Sequence, residues 1–308
     1  MQNEKIVIRH GEYRAEIFPE AGGALVTLDK GDVHVFWPCE SGDEAAAAPT
    51  RHGLPCLFPP NRIDAGHFWF DGREYQFPMK PNKANNFSHG FLHIRPWKAV
   101  DVTENSVTMR YDCDESTDFY PYYPHKFRFD VRYTLSDEGL CQEAEVTNYG
   151  ELPMPIGLGW HTAFALSGGE TKVRMSVGKR ILLSDRMLPT GDVRELSEAE
   201  KLFRADAGQS PVYAPMDDHF TVEKIQYNGR DFHGAILEDG GVRIIYEVDD
   251  AYKHWMVFNA KAAGNIICIE PQNWRINAPN LDMPYEESGL DVLKKGESKC
   301  YVSRIKVE

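Results

Sequence analysis

The chain has 308 residues and a formal charge of −13, from 34 Lys and Arg against 47 Asp and Glu. That length buries about three quarters of the unfolded surface, so a metal or disulfide is not needed for stability. An acidic surface without a Lys/Arg cluster excludes the phosphate-neutralising face of a nucleic-acid binder and suits anionic membranes poorly; a neutral small molecule fits better.

The six cysteines, Cys39, Cys56, Cys113, Cys141, Cys268 and Cys300, form no Cys-x-x-Cys pair and read as buried free thiols. Met1 to His10 holds no apolar leader core, and no run approaches the roughly 20 apolar residues of a membrane span. The cytoplasm is therefore the expected compartment.

In chain order the signals are those of strands. Short β-rich runs cover Ile6–Ile8, Tyr13–Phe18, Ala24–Leu28 and Val33–Trp37. Asp71-Gly72 between Phe68–Phe70 and Tyr75–Phe77 predicts a hairpin. Further strands are predicted at Ser106–Tyr111, Phe127–Leu135, Cys141–Asn148, Val242–Val248, Trp255–Phe258, Ile266–Ile269 and Lys299–Val307. Phe127 to Tyr133 alternates apolar and polar residues, as a sheet with one wet face does. Helix signals are few: Ser197-Glu-Ala-Glu200 is a capping box opening Glu198–Ala205, and Glu44–Ala48 offers one more turn. Strands recurring without intervening helices predict an all-β sandwich or barrel. No repeat or linker divides the chain, so residues 1–308 are expected to form one domain.

Titratable residues stand at unusual places. His161 closes the glycine-rich run Ile156-Gly-Leu-Gly-Trp-His161, and Glu270 ends the apolar run Ile266–Ile269. A histidine and a carboxylate at the rim of a packed sheet suit proton transfer near neutral pH. A long loop from Pro38 leads to Leu57-Phe-Pro-Pro-Asn-Arg62, where prolines stiffen the chain before Asn61 and Arg62. His89 and His93 have zinc-pair spacing, but Gly90 and the β-rich surroundings speak against a helix and no third ligand is nearby. Asp217-Asp218 lacks the spaced acids of a calcium loop. Dinucleotide, phosphate-loop and serine-hydrolase motifs do not occur.

Taken together and in order, Leu57-Phe-Pro-Pro-Asn-Arg62, His89-Gly-Phe91 with Pro96-Trp97, Pro155-Ile-Gly-Leu-Gly-Trp-His161, Asp217-Asp-His-Phe220 and Glu270-Pro271 resemble the aldose 1-epimerase (galactose mutarotase-like) family, over residues 5 to 305. The resemblance implies a β supersandwich with few short helices and a sugar cleft across one sheet. It implies general acid/base chemistry that needs no metal or cofactor, and a monomer or homodimer acting on a small sugar. It makes Glu270 the general base and His161 the general acid. His89, Arg62 and Asp217 become substrate contacts, with Asp218 the alternative to Asp217 because the doublet leaves the register open by one. Trp69, Trp160 and Trp274 are candidates to stack on a sugar face. The chain departs from the family pattern at Thr162-Ala-Phe164 and at Pro271-Gln-Asn-Trp-Arg275, where substrate hydroxyls are read. A hexose 6-phosphate substrate, held by Arg51, Arg73 or Arg95, and a non-catalytic sugar-binding protein are the alternatives.

Overall fold

The computed structural model describes residues 5–79, 82–167 and 170–308. Two eight-stranded sheets dominate. The first, here the scaffold sheet, runs in spatial order Lys98–Val100, Ser106–Cys113, Phe127–Ser136, Gly139–Asn148, Ser298–Val307, Val242–Val248, Gly234–Asp239, Lys172–Met175. Its strand Phe127–Ser136 alternates as the sequence predicts: Phe127, Phe129, Val131, Tyr133 and Leu135 point inward while their neighbours reach water.

The second, the cleft sheet, runs Pro189–Arg194, Val177–Leu183, Asp217–Val222, His254–Phe258, Ile266–Gln272, Gly159–Trp160, Cys56–Leu57, with Ala163–Ala165 also paired to Ile266–Gln272. Phe220, Trp255, Val257, Ile267 and Ile269 from this sheet share one hydrophobic cluster with Phe129, Val131 and Tyr133 of the other. The core therefore lies between the two inner faces, as in a sandwich. A four-stranded N-terminal sheet, Ile6–His10 to Val33–His34, adds Ile8, Ile17 and Leu28 to the same cluster.

Helices are short. Ser197 and Glu200 form the predicted capping box, but the helix stops at Lys201 instead of Ala205, and the chain continues in turns. The other predicted turn begins earlier, at Gly42, because the Ser41 side chain accepts from the Glu44 amide and caps it there. All six cysteines are free, yet only Cys56, Cys113 and Cys268 are buried; Cys39 and Cys141 are half-buried and Cys300 is exposed. No helix among the described residues is long and apolar enough to cross a membrane.

Candidate active site

Strand register decides which side chains meet. Glu270 lies opposite Met256, and Met256 opposite His219; Cys268 lies opposite Phe258, and Phe258 opposite Asp217. Directly opposed residues share a face, so Asp217, Cys268 and Glu270 all project away from the core onto the outer side of the cleft sheet. Ile267 and Ile269 alternate with them into the core, which is why Ile266–Gln272 is buried on both faces.

His161 reaches the same place from the neighbouring strand. Gly159 pairs with both Leu57 and Gln272, and the His161 amide donates to the Pro55 carbonyl. Gly157, just upstream, has the Trp274 ring pressed so close that a Cβ would lie 2.4 Å from its carbons. Asn273 stitches the two motifs together: its side-chain oxygen accepts from the Leu158 amide at 2.7 Å, and its own amide donates to the Leu158 carbonyl at 2.9 Å.

Arg62 opens a separate two-stranded ribbon over the cleft, Arg62–Asp64 paired with Asn86–Ser88, and His89 directly follows its second strand. Phe58 anchors its entry by packing among Phe119, Tyr123, Phe127 and Phe129 of the core. Gly90 must be glycine: φ is +64° and a Cβ would sit 1.9 Å from the Phe58 carbonyl oxygen. Asn61 and His89 are themselves left-handed, at φ 54° and 68°, and the His89 amide donates to the Asn61 carbonyl at 2.8 Å. Such backbone conformations persist only where the surroundings enforce them.

These elements enclose a cavity of about 410 Å3, lined by Arg62, His89, His161, Asp217 and Glu270, with Asn61, Thr50 and Arg51 at its polar side and Met256, Phe258, Ile266 and Cys268 at its apolar side. His161 Nε2 stands 3.3 Å from Glu270 Oε1. The His89 ring meets the His161 ring edge-on, 5.4 Å between centroids. Arg62 donates twice to Asp217, at 2.9 and 3.2 Å, and once to the Asn61 side chain. Glu270 Oε2 and the Nδ1 atoms of His89 and His161 are buried with no partner among the described residues, so the cleft is rich in unspent hydrogen-bonding capacity.

Burial, reinforced by the Asp217 charge, pushes the Glu270 carboxyl well above the usual carboxylate range, against the pull of Arg62. Burial also drives both His161 and His89 below the ordinary histidine value, with neighbouring cationic groups adding to it. Both shifts follow from desolvation of the charged form. Both shifts favour the uncharged forms, which biases the pair toward a protonated Glu270 carboxyl beside a neutral His161 ring. His161, Cys268 and Glu270 also present three donor atoms within 4.8 Å of one another, close enough together to share a metal ion.

Of the five residues singled out in the sequence, all line this one cavity. Asp218 faces the other way and binds Arg180. None of the three tryptophans lines the cleft: Trp160 and Trp274 are core, and Trp69 is exposed on the Phe68–Phe70 hairpin. Met256 and Phe258 supply the apolar wall instead, and neither stood out in the sequence because both sit in an unbroken hydrophobic strand. His93 lies in a 3-10 turn, not a helix, and does not line the cleft.

The aldose 1-epimerase family model matches residues 4–306. A galactose mutarotase-like protein from Clostridium acetobutylicum superposes with a TM-score of 0.93 at 31% identity, covering 99% of this chain and 95% of that one. The chain belongs to the aldose 1-epimerase family. A galactose 1-epimerase from Lactobacillus acidophilus NCFM shares the fold at TM-score 0.73 and 14% identity, with 99% and 94% of the two chains covered. Among curated proteins, YihR of Escherichia coli K12, itself uncharacterized, is 30% identical over 163 residues, 51% of this chain and 49% of its own. LacX of Lactococcus lactis is 28% identical over 156 residues, 50% of this chain and 48% of its own. The chain spans about half the length of the curated relatives it matches.

Proposed function

We propose that this chain interconverts the α and β anomers of a free aldose, a hexose or a close relative. The observation that carries this reading is the 3.3 Å separation of His161 Nε2 and Glu270 Oε1. In a cyclic aldose the two oxygens that exchange protons, O1 and the ring oxygen, are both bonded to C1. An acid and a base must therefore stand side by side, and these do.

Ring opening needs the ionised form of the pair. One proton passing from Glu270 to His161 creates it without exchange with solvent. Glu270 then takes the proton of the C1 hydroxyl while His161 gives one to the ring oxygen. The C1–O5 bond breaks, a C1–O1 double bond forms, and rotation about C1–C2 presents the other face. Closure returns both protons, so the cycle consumes none. Positioned acid–base catalysis of this kind contributes about 10²–10⁴-fold. The Arg62–Asp217 pair and the free nitrogen of His89 supply donors and acceptors for the remaining hydroxyls, and Met256 and Phe258 take the apolar ring face.

Polarimetry or NMR exchange spectroscopy on a panel of free sugars tests the reading; no acceleration by folded protein on any of them rejects it. Arg62→Ala is expected to raise KM more than it lowers kcat, since it removes a ground-state contact. One observation favours a second reading, an anionic sugar: Arg51 lines the cleft and has no ion pair among the described residues, whereas Arg95 is tied to Asp118. Comparing kcat/KM for glucose and glucose 6-phosphate separates the two. Calorimetric binding with no turnover would leave the sugar-binding alternative.

A further inference from the structure

The outer face of the cleft sheet carries polar groups that the cavity does not use. Thr221 lies opposite His254 and His254 opposite Gln272, one row beyond His219, Met256 and Glu270. Gln272 follows Glu270 by two residues and therefore shares its face. Neither Gln272 nor His254 lines the cavity that holds Glu270. Both are buried, at 0% and 2% exposure. Both side-chain polar atoms of Gln272, both ring nitrogens of His254 and Glu270 Oε2 have no hydrogen-bond partner among the described residues. Packing alone does not explain so many orphaned atoms on three adjoining side chains.

The Gln272 side chain has little freedom. A Cβ at Gly159 would lie 2.9 Å from its Cγ, so the run that delivers His161 also walls in the Gln272 stem. Burial and the Asp217 charge raise the Glu270 carboxyl; Arg62 and, after it, the Gln272 amide pull the other way. A donor beside a carboxylate has that effect. On the far side of the amide, burial and the Arg275 charge hold His254 at about 3, so its ring is neutral and has one bare nitrogen. The Ser288 and Glu287 backbone favours the proton on that ring and draws its single N–H to their side. His219 backs the ring edge-on, 5.2 Å between centroids.

We propose that Gln272 is a positioning residue for the base: its amide nitrogen holds Glu270 Oε2, and the bare nitrogen of His254 keeps the amide in that orientation. A small turn of the amide closes both contacts, one from each of its N–H groups. The opposite orientation would set the amide oxygen against the carboxylate. A carboxyl group can rotate about its last bond, and only some settings present Oε1 to His161 and the C1 hydroxyl together. A donor fixed on Oε2 keeps such a setting without competing for the C1 proton. Gln272 thus acts through Glu270 and touches no substrate. This rests on the epimerase reading of the cavity, and the experiment is arranged to separate the two.

Gln272→Met and His254→Phe keep most of the volume and remove the hydrogen-bonding atoms. Wild type, both variants and the double variant are compared by anomer-exchange kinetics on the best free sugar, with folding checked by circular dichroism. Gln272→Met is expected to lower kcat by roughly 10- to 100-fold, the weight of one hydrogen bond to a charged group, with KM unchanged. His254→Phe should lower kcat less, and the double variant should be no worse than Gln272→Met, because both act along one chain of contacts. Near-wild-type kcat in Gln272→Met, a loss carried by KM, or single effects that multiply in the double variant overturns the proposal. The contact itself is read without turnover, by 1H–15N NMR of the wild-type Gln272 side-chain amide, assigned through its own backbone. Protons downfield of glutamine amides in water and slow to exchange are expected; a pair at the free position, exchanging freely, overturns the proposal even if no variant folds. Absence of turnover in the wild type removes the epimerase reading, and the amide signals then decide the contact alone.

Discussion

The two eight-stranded sheets are built from the same antiparallel pairing but differ in how many buried polar atoms they leave without a partner. In the scaffold sheet the polar residues sit on the wet face and pair across strands, as Arg110 does with Asp130 and Arg128 with Asp112. Buried there, Ser303 donates to the Gln142 side-chain oxygen at 2.7 Å, while the Gln142 side-chain nitrogen has no partner among the described residues. On the cleft sheet and its rim, His161, His219, His254, Glu270 and Gln272 are all left with unpartnered nitrogen or oxygen atoms. Each such atom costs about 1–3 kcal/mol. Their concentration on the cleft sheet, against the Gln142 and Arg174 nitrogens of the scaffold sheet, fits groups held for something that binds.

The strongest separation between the sheets is kinetic. Glu270→Gln and His161→Asn are each expected to lower kcat by roughly 10²-fold or more with smaller changes in KM, because both groups act only in the transition state. The double variant should be little worse than the poorer single one, since half of an acid–base pair achieves little. Near-wild-type kcat in Glu270→Gln would end the base assignment. The converse experiment is Phe129→Ala in the scaffold sheet. It should cost about 3–5 kcal/mol of stability, read by denaturant titration, while the folded fraction keeps its kcat.

A metal ion should separate the sheets as well. The N···O separation of 3.3 Å at His161 and Glu270 is close to the edge of a tetrahedron with bonds of about 2.0–2.1 Å, the geometry zinc adopts. Cys268 is the third donor. Added Zn2+ is expected to inhibit by occupying the two atoms that move protons, and Cys268→Ser should raise the inhibitory concentration roughly tenfold or more. Equal zinc sensitivity in wild type and variant would remove Cys268 from the site.

The pH profile reports the same electrostatics. Activity needs one proton on the His161–Glu270 pair, so it falls at low pH when the pair takes up a second and at high pH when it loses the first. Burial lowers His161, so the acid limb of kcat/KM should lie below the ordinary histidine range; burial raises Glu270, so the alkaline limb should lie well above the ordinary carboxylate range. Asp217 contributes to the Glu270 shift and Arg62 opposes it. Asp217→Asn removes the first and frees the second, and should move the alkaline limb to lower pH. No movement would mean that Asp217 does not act on the base.

Much of this was legible in the sequence, for reasons that also mark where legibility ends. Phe127–Ser136 announces itself because one face is wet and the alternation is therefore visible. His161, Glu270 and Arg62 stand out because each is a charged or titratable residue ending an apolar or proline-stiffened run. Met256, Phe258 and Cys268 do not, because the cleft sheet is covered on both sides and an apolar residue on the cleft face looks like one in the core; only cross-strand register tells them apart. The same difficulty misplaces Trp160 and Trp274, which are aromatic and adjacent to the motifs yet fill the core beneath them. Asp217 is separated from Asp218 by the alternation of the strand they begin, which sends one toward Arg62 and the other toward Arg180.

The smallest expected effect is on stability, and its sign is opposite to that of ordinary buried substitutions. In the unfolded chain Glu270 titrates near 4.3; in the folded protein its value is raised by burial. A raised folded value means that the favourable contribution is fully present below the unfolded value and is lost as pH rises through the folded one. Glu270→Gln carries no such dependence. Its Tm should match that of the wild type near pH 4, then exceed it by a margin that widens as pH rises and levels off above the folded value of Glu270. About 1 kcal/mol corresponds to roughly 2–4 °C in a chain of 150–250 residues, so a gap of a few degrees at neutral pH is expected from calorimetry. A gap that is absent, reversed or independent of pH would show that Glu270 is buried without cost. The contrast between the sheets would then rest on kinetics alone.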